Sequence, residues 1–168
     1  MVKSTKTERH IISILTKNQP GVLSRIAGLF SRRGYNIDGL TVCATENENY
    51  SRMTVTVDAT DWTANQIVEQ LKKQIDVVKV LDLNSGDVAL RELLLIKVNA
   101  GAKERSELCD LCAIFKAKAL DTTPSTMMFE LTGNTSKIDA FIGVLVPYGI
   151  IEMARTGGAA LERGKNEN

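Results

Sequence analysis

The chain has 168 residues, 43% of them hydrophobic, with 21 basic and 20 acidic residues and a formal net charge of +1. That is enough for one medium domain or two small ones. Residues 1–84 carry 11 basic and 9 acidic residues and residues 85–168 carry 10 and 11, so neither half is a polybasic surface and nucleic acid is not the expected partner. No apolar run approaches the roughly 18–20 residues of a membrane span, and Met1 to Arg9 is polar with no signal-peptide core behind it. No membrane is expected as a partner. A cytosolic protein is the expectation, or an organellar one if the chain is a mature processed form.

In chain order, Ile11 to Leu15 reads as a buried strand. Asn18-Gln19-Pro20-Gly21 follows as a turn, because Asn, Pro and Gly each favour one. Val22, Ile26, Leu29 and Phe30 then recur at helical spacing, with Arg25, Arg32 and Arg33 on a solvated face, and Gly34 ends the helix. Asn36 to Ala44 is a second strand, Glu46 to Tyr50 a hairpin turn, and Met53, Val55 and Val57 the apolar side of a third strand. Thr63 is a plausible N-cap for a helix with a stripe at Ile67, Leu71 and Ile75. Val77 to Leu83 is a fourth strand.

Asn84-Ser85-Gly86-Asp87 marks a boundary, giving domains at 1–84 and 85–168. The pattern then restarts. Leu93 to Val98, Ala119 to Thr122, Met127 to Leu131 and Ile150 to Met153 are strands. Helices lie at Leu108–Phe115 and Ile138–Leu145, the second stopped near Pro147. Arg155 to Asn168 is small and polar and reads as a frayed tail. Each half is therefore a βαββαβ, ferredoxin-like unit, and the fold class is α+β with two such units in tandem. The first unit's sheet face away from the helices is too apolar for solvent. A second copy or a partner is expected to cover it.

Few residues suggest chemistry. Cys109 and Cys112 are spaced like a metal or redox pair, but with one other cysteine, Cys43, and a single histidine, His10, a four-ligand zinc site cannot be completed. The pair falls inside a helical pattern, so both are read as buried core thiols. His10 has no second histidine or paired nucleophile and is read as structural or exposed. No catalytic or metal residue is assigned. The informative stretch is Asn18 to Leu23. Gly21 allows close approach, and the helix behind it presents free N–H groups and a partial positive charge, a receptor for a small carboxylate. From residue type alone Asn18 and Asn36 are turn caps.

The series Asn18-Gln19-Pro20-Gly21-Val22-Leu23-Ser24-Arg25, Gly28 to Ile37, Ser51-Arg52-Met53, Arg91-Glu92-Leu93, Arg105-Ser106-Glu107 and Ala154-Arg155-Thr156-Gly157 resembles the regulatory (small) subunit of acetolactate synthase. The first half is similar to that family's ACT domain. The resemblance implies a non-catalytic subunit that activates a larger thiamine-diphosphate-dependent enzyme and confers feedback inhibition by a branched-chain amino acid, most often valine. Thiamine diphosphate, Mg²⁺ and FAD would belong to the large subunit, with no cofactor in this chain. The effector site would use Asn18, Gly21, Val22 and Leu23, completed by Asn36 and Ile37 of a neighbouring copy in a homodimer formed through the ACT domains. No charged side chain lies within residues 18–23, which suits an apolar ligand such as valine, leucine or isoleucine. Arg155-Thr156-Gly157 is read as a contact with the catalytic subunit. The alternatives are an ACT-type sensor for another enzyme or a transcription factor, which would need a DNA-binding element, and a metallochaperone, which would need its Cys pair on the first loop.

Overall fold

The computed structural model describes residues 6–164. The chain divides into two compact units, residues 6–89 with 157–164, and Leu90–Thr156. The first unit contains β1 (Glu8–Lys17), α1 (Val22–Arg32), β2 (Gly39–Ala44), β3 (Tyr50–Ala59), α2 (Asp61–Leu71) and β4 (Val77–Asp82). Its sheet is antiparallel, in the order β2-β3-β1-β4. Alternation places Ile12, Ile14, Met53, Val55 and Val57 on one face, where they meet Val22, Ile26, Leu29 and Phe30 of α1 and Ile67 and Leu71 of α2. All of these are at most 4% exposed, a closed apolar core beneath two helices.

The second unit repeats the pattern with β5 (Val88–Asn99, entering from the first unit), α3 (Glu104–Phe115), β6 (Lys118–Thr122), β7 (Thr126–Gly133), α4 (Thr135–Leu145) and β8 (Ile150–Arg155), in the sheet order β6-β7-β5-β8. Its core joins Leu94, Ile96 and Val98 to Phe129, Ile138 and Phe141. Phe141 lies between Phe115 and Phe129, tilted 49° against the first and edge-to-face with the second, with ring centroids 5.1 and 6.2 Å away. The α+β class and the two tandem units follow the hydrophobic periodicity.

Several local expectations are corrected. Thr60, not Thr63, caps α2, because its hydroxyl accepts the Thr63 N–H. The helix stops at Leu71, so Ile75 lies beyond it and is 87% exposed. β2 starts at Gly39, three residues later than expected. Asp38 accepts the Asp58 N–H (2.8 Å) through its carboxylate and so replaces a ladder partner there. Cys109 is exposed and only Cys112 of the pair is buried, since positions three apart on α3 straddle its apolar edge.

The largest correction is at the C-terminus. The expected frayed tail contains a strand, β9 (Ala159–Glu162), that packs on the first unit. The Thr41 hydroxyl donates to the Gly158 carbonyl (2.9 Å), and the Arg163 N–H donates to the Asp87 carbonyl (2.8 Å). A Cβ at Gly157 would lie 2.9 Å from the Leu40 backbone, so only glycine permits this approach. Part of the sheet face expected to need a partner is thus covered by the chain's own end. Residues 165–168 of that tail lie outside the described residues.

Candidate functional site

The loop that joins β1 to α1 is held from two sides. The Lys17 N–H donates to the Asp76 carbonyl (2.9 Å), and the Asn18 N–H donates to the Asn49 carbonyl (2.8 Å). The Asn18 side chain donates from Nδ2 to the Glu48 carbonyl (2.9 Å) and accepts at Oδ1 from the Ser51 hydroxyl (3.0 Å). It ties the loop to the β2–β3 hairpin. An amide carries two donors and two lone pairs, so one of each stays available.

Gly21 then takes the left-handed conformation (φ 84°) at the N-cap of α1. No side chain caps this end, and the first turn holds no acidic residue. The Val22 N–H reaches back to the Gln19 carbonyl at 3.4 Å, a long contact, so of the three N–H groups expected to face a ligand this one is partly engaged. Leu23 is 42% exposed and faces outward rather than into the core. The helix end therefore keeps its partial positive charge without an internal counter-charge in its first turn.

Arg25 is the residue that sequence reading passed over as part of a solvated face. It sits one turn beyond Gly21, on the same side of the helix. A Cβ at Gly21 would lie 3.1 Å from Arg25 Nη1, so the guanidinium runs alongside the loop. Its Nε and Nη2 bind one carboxylate oxygen of Asp76, at 2.8 and 2.6 Å. Asp76 is 9% exposed. The spacing of Arg25 from Gly21 was the available signal. The partner, 51 residues away, had none.

Asn36 and Ile37 lie past the other end of α1. An 11-residue helix is about 16 Å long. The fold therefore does not bring them to the Asn18–Leu23 loop within one chain. Asn36 is exposed and donates from Nδ2 to Asp38 (2.6 Å), while Ile37 packs on the first unit's core.

The remaining candidates lie away from this loop, each among neighbours of its own unit. His10 is 4% exposed and lies between Asp61 (Nε2 to Oδ1, 3.6 Å) and Asp82 (Nδ1 to Oδ2, 3.5 Å). Among the described residues no cluster of His, Cys, Asp and Glu has the geometry of a metal site. Arg155, expected to contact a partner, binds Glu92 through Nε (2.5 Å) and Asp139 through Nη1 (2.7 Å) inside the second unit. Burial alone would weaken its charge, but the bonds to Glu92 and Asp139 outweigh that and hold its pKa above the ordinary arginine value. Burial, with a smaller contribution from Cys109, pushes the Cys112 thiol up to about 11, so it is an inert core group. Among the described residues no helix is long and apolar enough to cross a membrane.

Residues 12–79 match the family model described as the AHAS small subunit-like ACT domain, and residues 91–164 match the one described as the small subunit of acetolactate synthase. An acetolactate synthase small subunit of Mycobacterium bovis is 44% identical over 92% of this chain and 92% of its own. That of Mycolicibacterium smegmatis is 42% identical over 96% and 95%. The crystal structure of the acetolactate synthase small subunit from Thermotoga maritima superposes with a TM-score of 0.85 at 37% identity, over 94% of this chain and 99% of that one.

Proposed function

We propose, from the premise that this chain belongs to the family of acetolactate synthase small subunits, that it is the amino-acid-sensing regulatory subunit of that enzyme. In this reading it binds and activates a catalytic large subunit, which holds thiamine diphosphate, Mg²⁺ and FAD. It also confers feedback inhibition by a branched-chain amino acid, valine first, in a cytoplasmic complex.

The observation that carries the reading is the start of α1. An uncapped helix end without acid in its first turn, a left-handed glycine and the Arg25 guanidinium stand together. A ligand carboxylate would take the N–H groups of Gly21 and Leu23, with Arg25 as the nearby cation. The free donor and acceptor of Asn18 would orient the ligand. Its apolar side chain meets no charged group within residues 18–23. Because α1 separates this loop from Asn36 and Ile37, those two would close the site from a second copy. The effector would then favour the paired arrangement by its differential affinity for it.

The test is reconstitution. Copurified with its large subunit, the chain should raise acetolactate formation and make it valine-sensitive. If it neither activates nor adds inhibition, the reading fails.

A further inference from the structure

The face of the first sheet turned away from α1 and α2 carries an ordered set of groups. Strand register places Arg52, Leu15 and Lys79 in one row across β3, β1 and β4, and Thr54, Ser13 and Leu81 in the next. Neighbours in such a row have Cβ atoms about 5 Å apart. Ser13 and Thr54 are only 2% and 3% exposed on this face, where the segment that holds β9 crosses. Ala160 is 4% exposed there.

Between β9 and the β1–β4 side a cavity of about 230 Å³ remains. Leu15, Leu81 and Leu83 give it apolar wall, and Arg52 and Lys79 supply two cations. Arg52 Nη1 donates to the Ser13 hydroxyl (3.1 Å), a neutral acceptor, and neither cation has a carboxylate partner within 4.0 Å among the described residues. Glu162 of β9 also lines the cavity. For scale, a dry cavity of about 150 Å³ admits benzene.

We infer that this cavity is a binding site for a small organic monocarboxylate with an aliphatic body. The guanidinium fork of Arg52 and the ammonium of Lys79 receive the carboxylate. Leu15, Leu81 and Leu83 bury the chain. Glu162 adds a place for an α-ammonium group, so an amino acid and a plain carboxylic acid share the chemistry. Because β9 forms one wall, a bound ligand holds residues 157–163 onto the sheet. The site lies on the opposite sheet face from α1 and does not rest on the Asn18–Leu23 reading.

Calorimetric titration of the full chain with 4-methylpentanoate tests this, with 4-methylpentan-1-ol as the uncharged control and leucine as the ammonium-bearing counterpart. Saturable binding of the carboxylate is expected in the wild type and equally in Gly21→Asp. The alcohol should bind about tenfold more weakly or worse, and Lys79→Gln and Arg52→Gln should each lose about tenfold in affinity. Lys79 is exposed, so its variant carries the test if Arg52→Gln fails to fold. In the Gly21→Asp background, where the Asn18–Leu23 loop cannot take an amino acid, leucine weakened by Glu162→Gln identifies the amino acid as the ligand, and leucine no better than 4-methylpentanoate identifies the plain acid. Absence of saturable carboxylate binding, affinity unchanged in both cation variants, or binding abolished by Gly21→Asp would each overturn the assignment.

Discussion

Gly21 combines two constraints that separate at the level of single substitutions. Its φ of 84° is strained for most side chains. Asp tolerates that region better than most residues, and its carboxylate would reach Arg25 and the first-turn N–H groups. Gly21→Asp should therefore fold, occupy the receptor from within and lose amino-acid sensitivity while still activating a large subunit. Asn18→Ala removes two side-chain hydrogen bonds to the hairpin. It should cost about 1–2 kcal/mol in a denaturant melt and weaken amino-acid inhibition less than Gly21→Asp does. The thiols give a third check. Iodoacetamide at pH 8 should label Cys43 and Cys109 and spare buried Cys112. Cys112 titrates at about 11 in the fold against 9.0 for a free thiol. Its protonated form is thus the one that folding favours. That contribution is complete below pH 9 and is lost as pH rises toward about 11, the unfolded chain releasing its proton first.

At the level of elements, local pattern and distant pairing differ in how they can be read. β1, β3 and β7 alternate, α1 and α4 keep a helical stripe, and these were legible because each is decided within about ten residues. Arg25–Asp76 and Arg155–Glu92 were not, since they join residues 51 and 63 positions apart. β9 was missed because four residues with two alanines and one glutamate show no period. Thr60 and Thr63 are both good cap residues, and only backbone geometry chooses between them. The Arg155 clamp carries an energetic prediction. Glu92 is 7% exposed, and Arg155→Ala would leave its carboxylate with Thr135 alone. The cost should be about 3 kcal/mol, read as a lowered melting midpoint, with Glu92→Gln in the same chain recovering part of it.

At the scale of the whole molecule, the tandem units and the family were legible because ordered motifs run through both halves. The candidate site was legible only in part. Asn18, Gly21 and Leu23 fall together in the loop and first turn of α1, Arg25 was added by the fold, and Asn36 and Ile37 stand about one helix length away. The C-terminal segment depends on Gly157, whose missing Cβ admits the Leu40 backbone. Gly157→Val should release residues 157–163, seen as faster amide exchange at Ser13 and Thr54, while the α1–sheet core stays protected. The most direct test of the central claim is a valine titration of acetolactate formation by the large subunit, reconstituted with the wild-type chain or with Gly21→Asp. Activation by both chains and valine inhibition with the wild type alone are expected. Failure of either chain to activate, or full inhibition with Gly21→Asp, would contradict that claim.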